Sequence, residues 1–145
     1  MAEGMMGTIL CATRGGEASQ AAQDAAIDIA LRTGSRLVFL YVVDLSFLER
    51  AQAQHIVDVG GEVARMGQFL LTMAKERAKA RGVEAKTICR KGKPREEIKR
   101  AVKEEGADVV VLGRPSGKGD FFPEEALYAF AQELEQETGA EVVIA

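Results

Sequence analysis

Apolar positions along this chain alternate between short unbroken runs and longer stretches spaced three or four residues apart. Unbroken runs bounded by glycine or proline predict buried strands, and the wider spacing predicts helices. Residues 8–13 form the first run, which enters Gly15 and Gly16. An alanine-rich helix is expected over 17–33. Its Ala18, Ala22, Ala25, Ile29 and Ala30 fall at helical spacing, and Gly34 suits the left-handed position that ends a helix. Residues 36–43 are nearly continuous in large apolar side chains, as expected for a strand covered on both faces. Residues 44–60 carry Leu45, Phe47, Leu48, Ile56 and Val57 without a clean period, which predicts a mobile flap or a partner surface.

A long helix is expected from Gly60 and Gly61 to Gly82, with Val63, Met66, Leu70, Met73 and Ala74 as its core stripe. A weaker strand follows over 84–89. Pro94 suits the first helical position, with Glu96 and Glu97 in the favoured first turn. Ile98, Ala101 and Val102 face inward, and Gly106 ends that helix. Residues 108–112 are the clearest buried strand. A glycine-containing loop over 113–122 leads to Pro123 and a helix carrying Leu127, Phe130, Ala131 and Leu134. Gly139 closes it, and residues 141–145 form a last strand.

Strands alternating with helices imply a single doubly wound α/β domain over residues 1–145, a parallel sheet with helices on both faces. In such sheets ligands bind outside the carboxyl ends of the strands, where the strand order reverses. The segments to inspect are therefore 13–16, 43–44, 90–93 and 113–119.

Composition narrows the picture. The chain has 145 residues, 47% apolar and 28% charged, as in an ordinary soluble domain. The longest apolar run has seven residues, against about 20 for a membrane span. The first twelve residues lack a basic region and an apolar stretch long enough for a secretory signal. Cys11 and Cys89 have neither metal-type nor redox-type spacing, so reduced thiols in a cytoplasmic protein are expected. A net charge of −3 argues against nucleic acid as a partner. Charge is unevenly spread: residues 75–104 hold 12 Lys/Arg against 5 Asp/Glu, and residues 119–145 hold 7 Asp/Glu and no Lys/Arg. Two solvated helix faces of opposite sign are expected, with a basic contact surface as the sharper alternative.

Candidate chemistry is sparse. His55 is the only histidine, and no second metal ligand stands near it in sequence. Gly113-Arg114-Pro115-Ser116-Gly117-Lys118-Gly119 resembles a P-loop superficially. It has three residues between the glycines instead of four, and Gly119 stands where a magnesium-binding hydroxyl belongs. Arg14-Gly15-Gly16-Glu17-Ala18-Ser19 partly resembles the S-G-G-x-D-S loop of ATP pyrophosphatases, without the aspartate.

A third resemblance covers the chain from residue 7 onward. The segment from Ile9 through Thr13, Arg14, Gly15, Gly16 and Glu17 to Ser19 resembles the opening I-L-V-A-T-D-G-S-E-x-S of the universal stress protein family. Leu40-Tyr41-Val42-Val43-Asp44 resembles its second strand, and Gly92-Lys93-Pro94-Arg95-Glu96-Glu97-Ile98 its G-x-P-x-E-x-I turn. The stretch from Glu105 through Asp108 to Gly113 is similar to E-x-x-A-D-L-I-V-M-G, and the last strand to P-V-L-V-V. The resemblance implies a five-stranded parallel sheet in the order 3-2-1-4-5. It also implies a homodimer pairing through the last strand, Val142, Val143, Ile144 and Ala145. In nucleotide-binding members, an Asp after the first strand and a Val in the second contact the nucleoside, and a G-x2-G-x9-G-[ST] run wraps the phosphates. Glycines let backbone N–H groups approach phosphate oxygens, and a hydroxyl and a helix N-terminus add donors.

This chain departs from that pattern. Arg14 stands at the Asp position and reverses its charge. Ser116 stands where the second glycine belongs, with Gly117 one step late, and no Gly-Ser or Gly-Thr pair occurs between Gly119 and Gly139. Val42, Gly113 and Gly117 remain. The expected crevice thus comprises Thr13, Arg14, Gly15, Val42, Gly113, Arg114, Gly117, Lys118 and Gly119. Two arginines there suit an anion, since guanidinium matches phosphate or carboxylate. The expectation is a non-catalytic, dimeric stress-response module with impaired ATP binding, with a protein partner and without membrane or nucleic-acid contact. No obligatory cofactor or metal is expected. The alternative is an ATP- or AMP-binding member using a variant loop, with slow ATP hydrolysis.

Overall fold

The computed structural model describes residues 7–13, 17–44, 59–114 and 124–145. Strands and helices alternate through them: β1 (Thr8–Ala12), α1 (Glu17–Thr33), β2 (Arg36–Val43), α2 (Val59–Ala80), β3 (Ala85–Lys91), α3 (Pro94–Glu105), β4 (Val109–Leu112), α4 (Glu124–Thr138) and β5 (Glu141–Ile144). Every neighbouring pair is parallel, as the alternation of strands and helices predicts, and the strand order is β3-β2-β1-β4-β5, the one the family resemblance implies. The apolar segment expected as a flap, with Leu45, Phe47, Leu48, Ile56 and Val57, lies outside the described residues.

Period-two alternation divides the strand side chains between two cores. Ile9, Cys11, Leu37, Phe39 and Val111 pack with Ala22, Ala26 and Ile27 of α1 and Leu71 and Ala74 of α2. Leu10, Val38, Leu40, Val42, Val110 and Leu112 pack with Ile98 and Val102 of α3 and Leu127, Phe130 and Leu134 of α4. Burial on both faces is why β2 and β4 read as unbroken apolar runs. Parallel strands need a helical return, so each helix starts at the carboxyl end of the sheet and runs back. The N-termini of α1 to α4 therefore gather at that end.

The seating of α2 keeps Ala74 of the expected core stripe and corrects Met66 and Met73; the Val63 side chain lies outside the described residues. Leu71, Ala74 and Ala78 are buried, Leu70 is half-buried, and Met66 and Met73 are 59% and 49% exposed. The cause is Gly67. A Cβ there would lie 2.5 Å from the Tyr41 ring, so the helix backbone rests directly on β2. The helix docks by its narrow side, at positions 67, 71, 74 and 78, and turns its larger apolar side chains outward.

The basic stretch over 75–104 is largely neutralised within the chain. Arg77 and Arg81 reach Asp24 and Asp28 of α1 at 2.6 and 2.5 Å. Lys86 pairs with Glu105, Arg90 with Glu104, and Arg100 with Glu97. Arg95 and Lys99 clamp Glu133 of α4, and the Lys99 hydrogen bond, then that of Arg95, holds its carboxyl below the usual range. This matches two helix faces of opposite sign, joined by ion pairs. Among the described residues no helix is long and apolar enough to cross a membrane.

Candidate functional site

Strand order reverses at β1, which lies between β2 and β4, and the carboxyl ends of these strands define the crevice. The β1–β4 register pairs Ala12 with Leu112, so Thr13 and Gly113 leave the sheet side by side. The Thr13 N–H donates to the Leu40 carbonyl at 2.8 Å. Its hydroxyl accepts a hydrogen bond from Gln23 Nε2 at 2.8 Å, and both side chains are buried. Thr13 thus pins β1 to β2 and α1, where its hydroxyl is already used. Val42 is buried on the opposite face, against α3 and α4.

Gly113 is half-buried and Arg114 exposed. The Arg114 N–H donates to the Ala145 carbonyl, and the Ala145 N–H to the Leu112 carbonyl, each at 2.9 Å. These bonds carry the β4–β5 ladder one residue past each strand. The Arg114 guanidinium donates to the Tyr128 hydroxyl of α4 at 2.9 Å. Among the described residues, no carboxylate lies within ion-pair distance of it. The cations of the α1–α2 and α3–α4 interfaces, by contrast, meet acids. The Arg114 guanidinium thus stands at the carboxyl end of the sheet, on the side where the helices begin, with the Tyr128 hydroxyl as its side-chain partner.

The β3–α3 turn supplies a further wall. The Gly92 N–H donates to the Val43 carbonyl at 2.9 Å. Gly92 has φ of 150°, and a Cβ there would meet the Glu97 carboxylate at 2.8 Å. Glu97 is buried, with Arg100 at 3.3 Å and Arg90 at 4.0 Å. Lys91 and Lys93 stand exposed on either side of Gly92. Thus 90–93, picked out from the sequence, does lie at the carboxyl end of the sheet.

Of the expected crevice residues, the fold brings Thr13, Val42, Gly113 and Arg114 to one end. Arg14, Gly15, Gly117, Lys118 and Gly119 lie outside the described residues, as does His55. Sequence reasoning missed Gln23, Tyr128 and the Ala145 carbonyl. Gln23 and Tyr128 sit beside core positions of amphipathic helices, and only the pairing of those helices with strand ends reveals their role. Neither thiol offers a ready nucleophile. Burial pushes Cys11 up to about 12, and burial also raises Cys89, against an opposing pull from Lys91. Among the described residues, no cluster of three or more His, Cys, Asp or Glu could hold a metal ion.

The family model described as the universal stress protein family matches residues 5–121. The universal stress protein YxiE of Bacillus subtilis (strain 168) is 32% identical over 117 residues, covering 75% of this chain and 79% of that protein. A solved protein of the family from Burkholderia pseudomallei has a TM-score of 0.68 at 25% identity, covering 97% of this chain and 96% of its own. A universal stress protein solved in complex with cAMP has a TM-score of 0.64 at 20% identity, again covering 97% and 96%.

Proposed function

This chain belongs to the universal stress protein family, and we propose on that premise that it is a non-catalytic, dimeric, cytoplasmic interaction module. In this reading its ATP binding is weakened, and the crevice between β1 and β4 takes a different anion. One observation carries the reading: Arg114 stands at the end of β4 with the Tyr128 hydroxyl as its partner and no neutralising acid among the described residues. A fixed positive charge so placed attracts phosphate or carboxylate groups. Arg14, one residue past Thr13, adds a second guanidinium where nucleotide-binding relatives are expected to carry an acid. An acid-to-arginine change at that position of the sequence disfavours the nucleoside contact and favours an anion. The non-catalytic part of the reading is supported by the neutral Cys11 thiol and by a single histidine in the whole chain.

Titration calorimetry tests this. The protein as it stands is expected to bind ATP more weakly than roughly 100 μM, about 5.5 kcal/mol. Arg14→Asp alone is expected to leave binding weak, because the Gly-Ser phosphate element is also missing. Combining it with a family glycine loop grafted over 113–128 is expected to help far more than either change alone, since both elements share one ligand. Low-micromolar ATP binding by the unaltered protein would overturn the reading in favour of a nucleotide-binding member with a variant loop. Mass spectrometry of the native protein then identifies the anion that copurifies.

A further inference from the structure

The outer face of α2 carries an apolar stripe among polar side chains, where a lone helix face is usually polar throughout. Met66, Phe69 and Met73 are 59%, 64% and 49% exposed, and they follow one another at spacings of three and four. Phe69 and Met73 each lie two residues beyond a docked position, Gly67 and Leu71, about 200° around the helix and so away from the sheet. Single exposed apolar residues are ordinary, but a contiguous stripe along one helix marks an interaction surface.

Charge selects the occupant. Arg65 and Glu76 are both exposed and eleven residues apart, close to three helical turns, so they share one shoulder of the stripe. Antiparallel pairing of α2 with a copy of itself, about a two-fold axis midway between positions 70 and 71, sets each Arg65 level with the Glu76 of the other copy. The two residue numbers sum to 141, twice that midpoint. The same register places the two Phe69 rings about 4.5 Å apart along the axis, within range of offset stacking. It places each Met73 about 3 Å along the axis from the other copy's Met66. We propose that the Met66, Phe69 and Met73 face of α2 is an isologous contact with a second copy of this chain, flanked by two symmetry-related Arg65–Glu76 pairs. A contact of this kind closes on itself and consumes the patch. It is independent of pairing through β5.

Sedimentation of the full chain at about 100 μM tests the proposal. Phe69→Glu is expected to halve the particle mass, whether the unit left behind is one protomer or a pair joined through β5. Arg65→Glu and Glu76→Arg are each expected to weaken association at least tenfold, and the double swap to restore it. Equal masses for Phe69→Glu and the unaltered protein, or a swap no better than its single changes, would overturn the proposal. Peroxide oxidation of Met66 and Met73 adds a second measurement. Protection that is lost on dilution supports the contact. Protection independent of concentration would mean that the stripe is covered within one chain, and would overturn it.

Discussion

Cys11 shows how one side chain links the fold to pH. It sits in β1 between helices on one face, fully out of water, where a thiolate has no solvation and no cation. The folded chain therefore holds that proton up to about 12, against 9.0 for an exposed thiol. The sign follows from linkage. Above 9 the unfolded chain gives up a proton that the folded chain keeps, so stability falls as pH rises. The loss is about 1.4 kcal/mol per pH unit between 9 and 12, with none below 9. Urea unfolding at pH 8 and pH 10 is expected to show this drop in the unaltered protein and a smaller one in Cys11→Ala. Thiol labelling at pH 8 is expected to modify Cys89 first and Cys11 only on unfolding.

At the scale of elements, α2 turns on Gly67. Replacing glycine by alanine inside a helix normally gains about 1 kcal/mol. Here the added Cβ would stand 2.5 and 2.7 Å from two carbons of the Tyr41 ring. Overpacking of that kind costs roughly 1–3 kcal/mol, so the clash wins. Gly67→Ala is expected to destabilise the protein by about 1 kcal/mol, and to stabilise it in a Tyr41→Ala background, where only the helical gain remains. Thermal unfolding of the four proteins reads the change of sign. The same residue shows where sequence reasoning stops. Every described strand and helix is legible in the spacing of apolar residues, and the strand order in the family resemblance. The rotation of α2 is not, because Met66 and Met73 satisfy a helical period as well as Leu71 and Ala74 do. A close approach to one ring decides between them, and that contact joins positions 26 residues apart in sequence. The crevice divides in the same way. Gly113 and Arg114 could be picked out from a glycine loop, but the Tyr128 partner of Arg114 lies on a helix whose placement depends on the whole sheet.

At the scale of the whole molecule, the open edge of β5 sets the terms of assembly. The Glu141 and Ala145 N–H groups point to β4, bonding Asp108 and Leu112. Alternation along the strand turns the Val142 and Ile144 N–H groups outward. Val142 is met by the Glu135 carboxylate at 3.2 Å, which leaves Ile144 as the outward donor for a partner strand. Ile144→Pro removes that donor without touching the ladder to β4, and an edge strand tolerates proline there. Light scattering is expected to show half the particle mass for Ile144→Pro with an unchanged unfolding midpoint. Val143→Pro, which strikes the inner ladder, is expected to lower stability instead. An Ile144→Pro protein of unaltered mass would exclude pairing through this edge.

The gathering of the N-termini of the four described helices at one end of the sheet gives it a direction. Each helix carries about half an elementary charge at either end, and the 17-residue α1 spans roughly 25 Å at 1.5 Å per residue. Four such helices, aligned alike, approach a moment of about 240 debye. A chain with a net charge of −3 is therefore not uniformly repelled by an approaching anion. The field of the aligned helices favours approach of an anion toward the end bearing Arg114. Raising the ionic strength shortens the distance over which this bias acts to about 8 Å at 0.15 M.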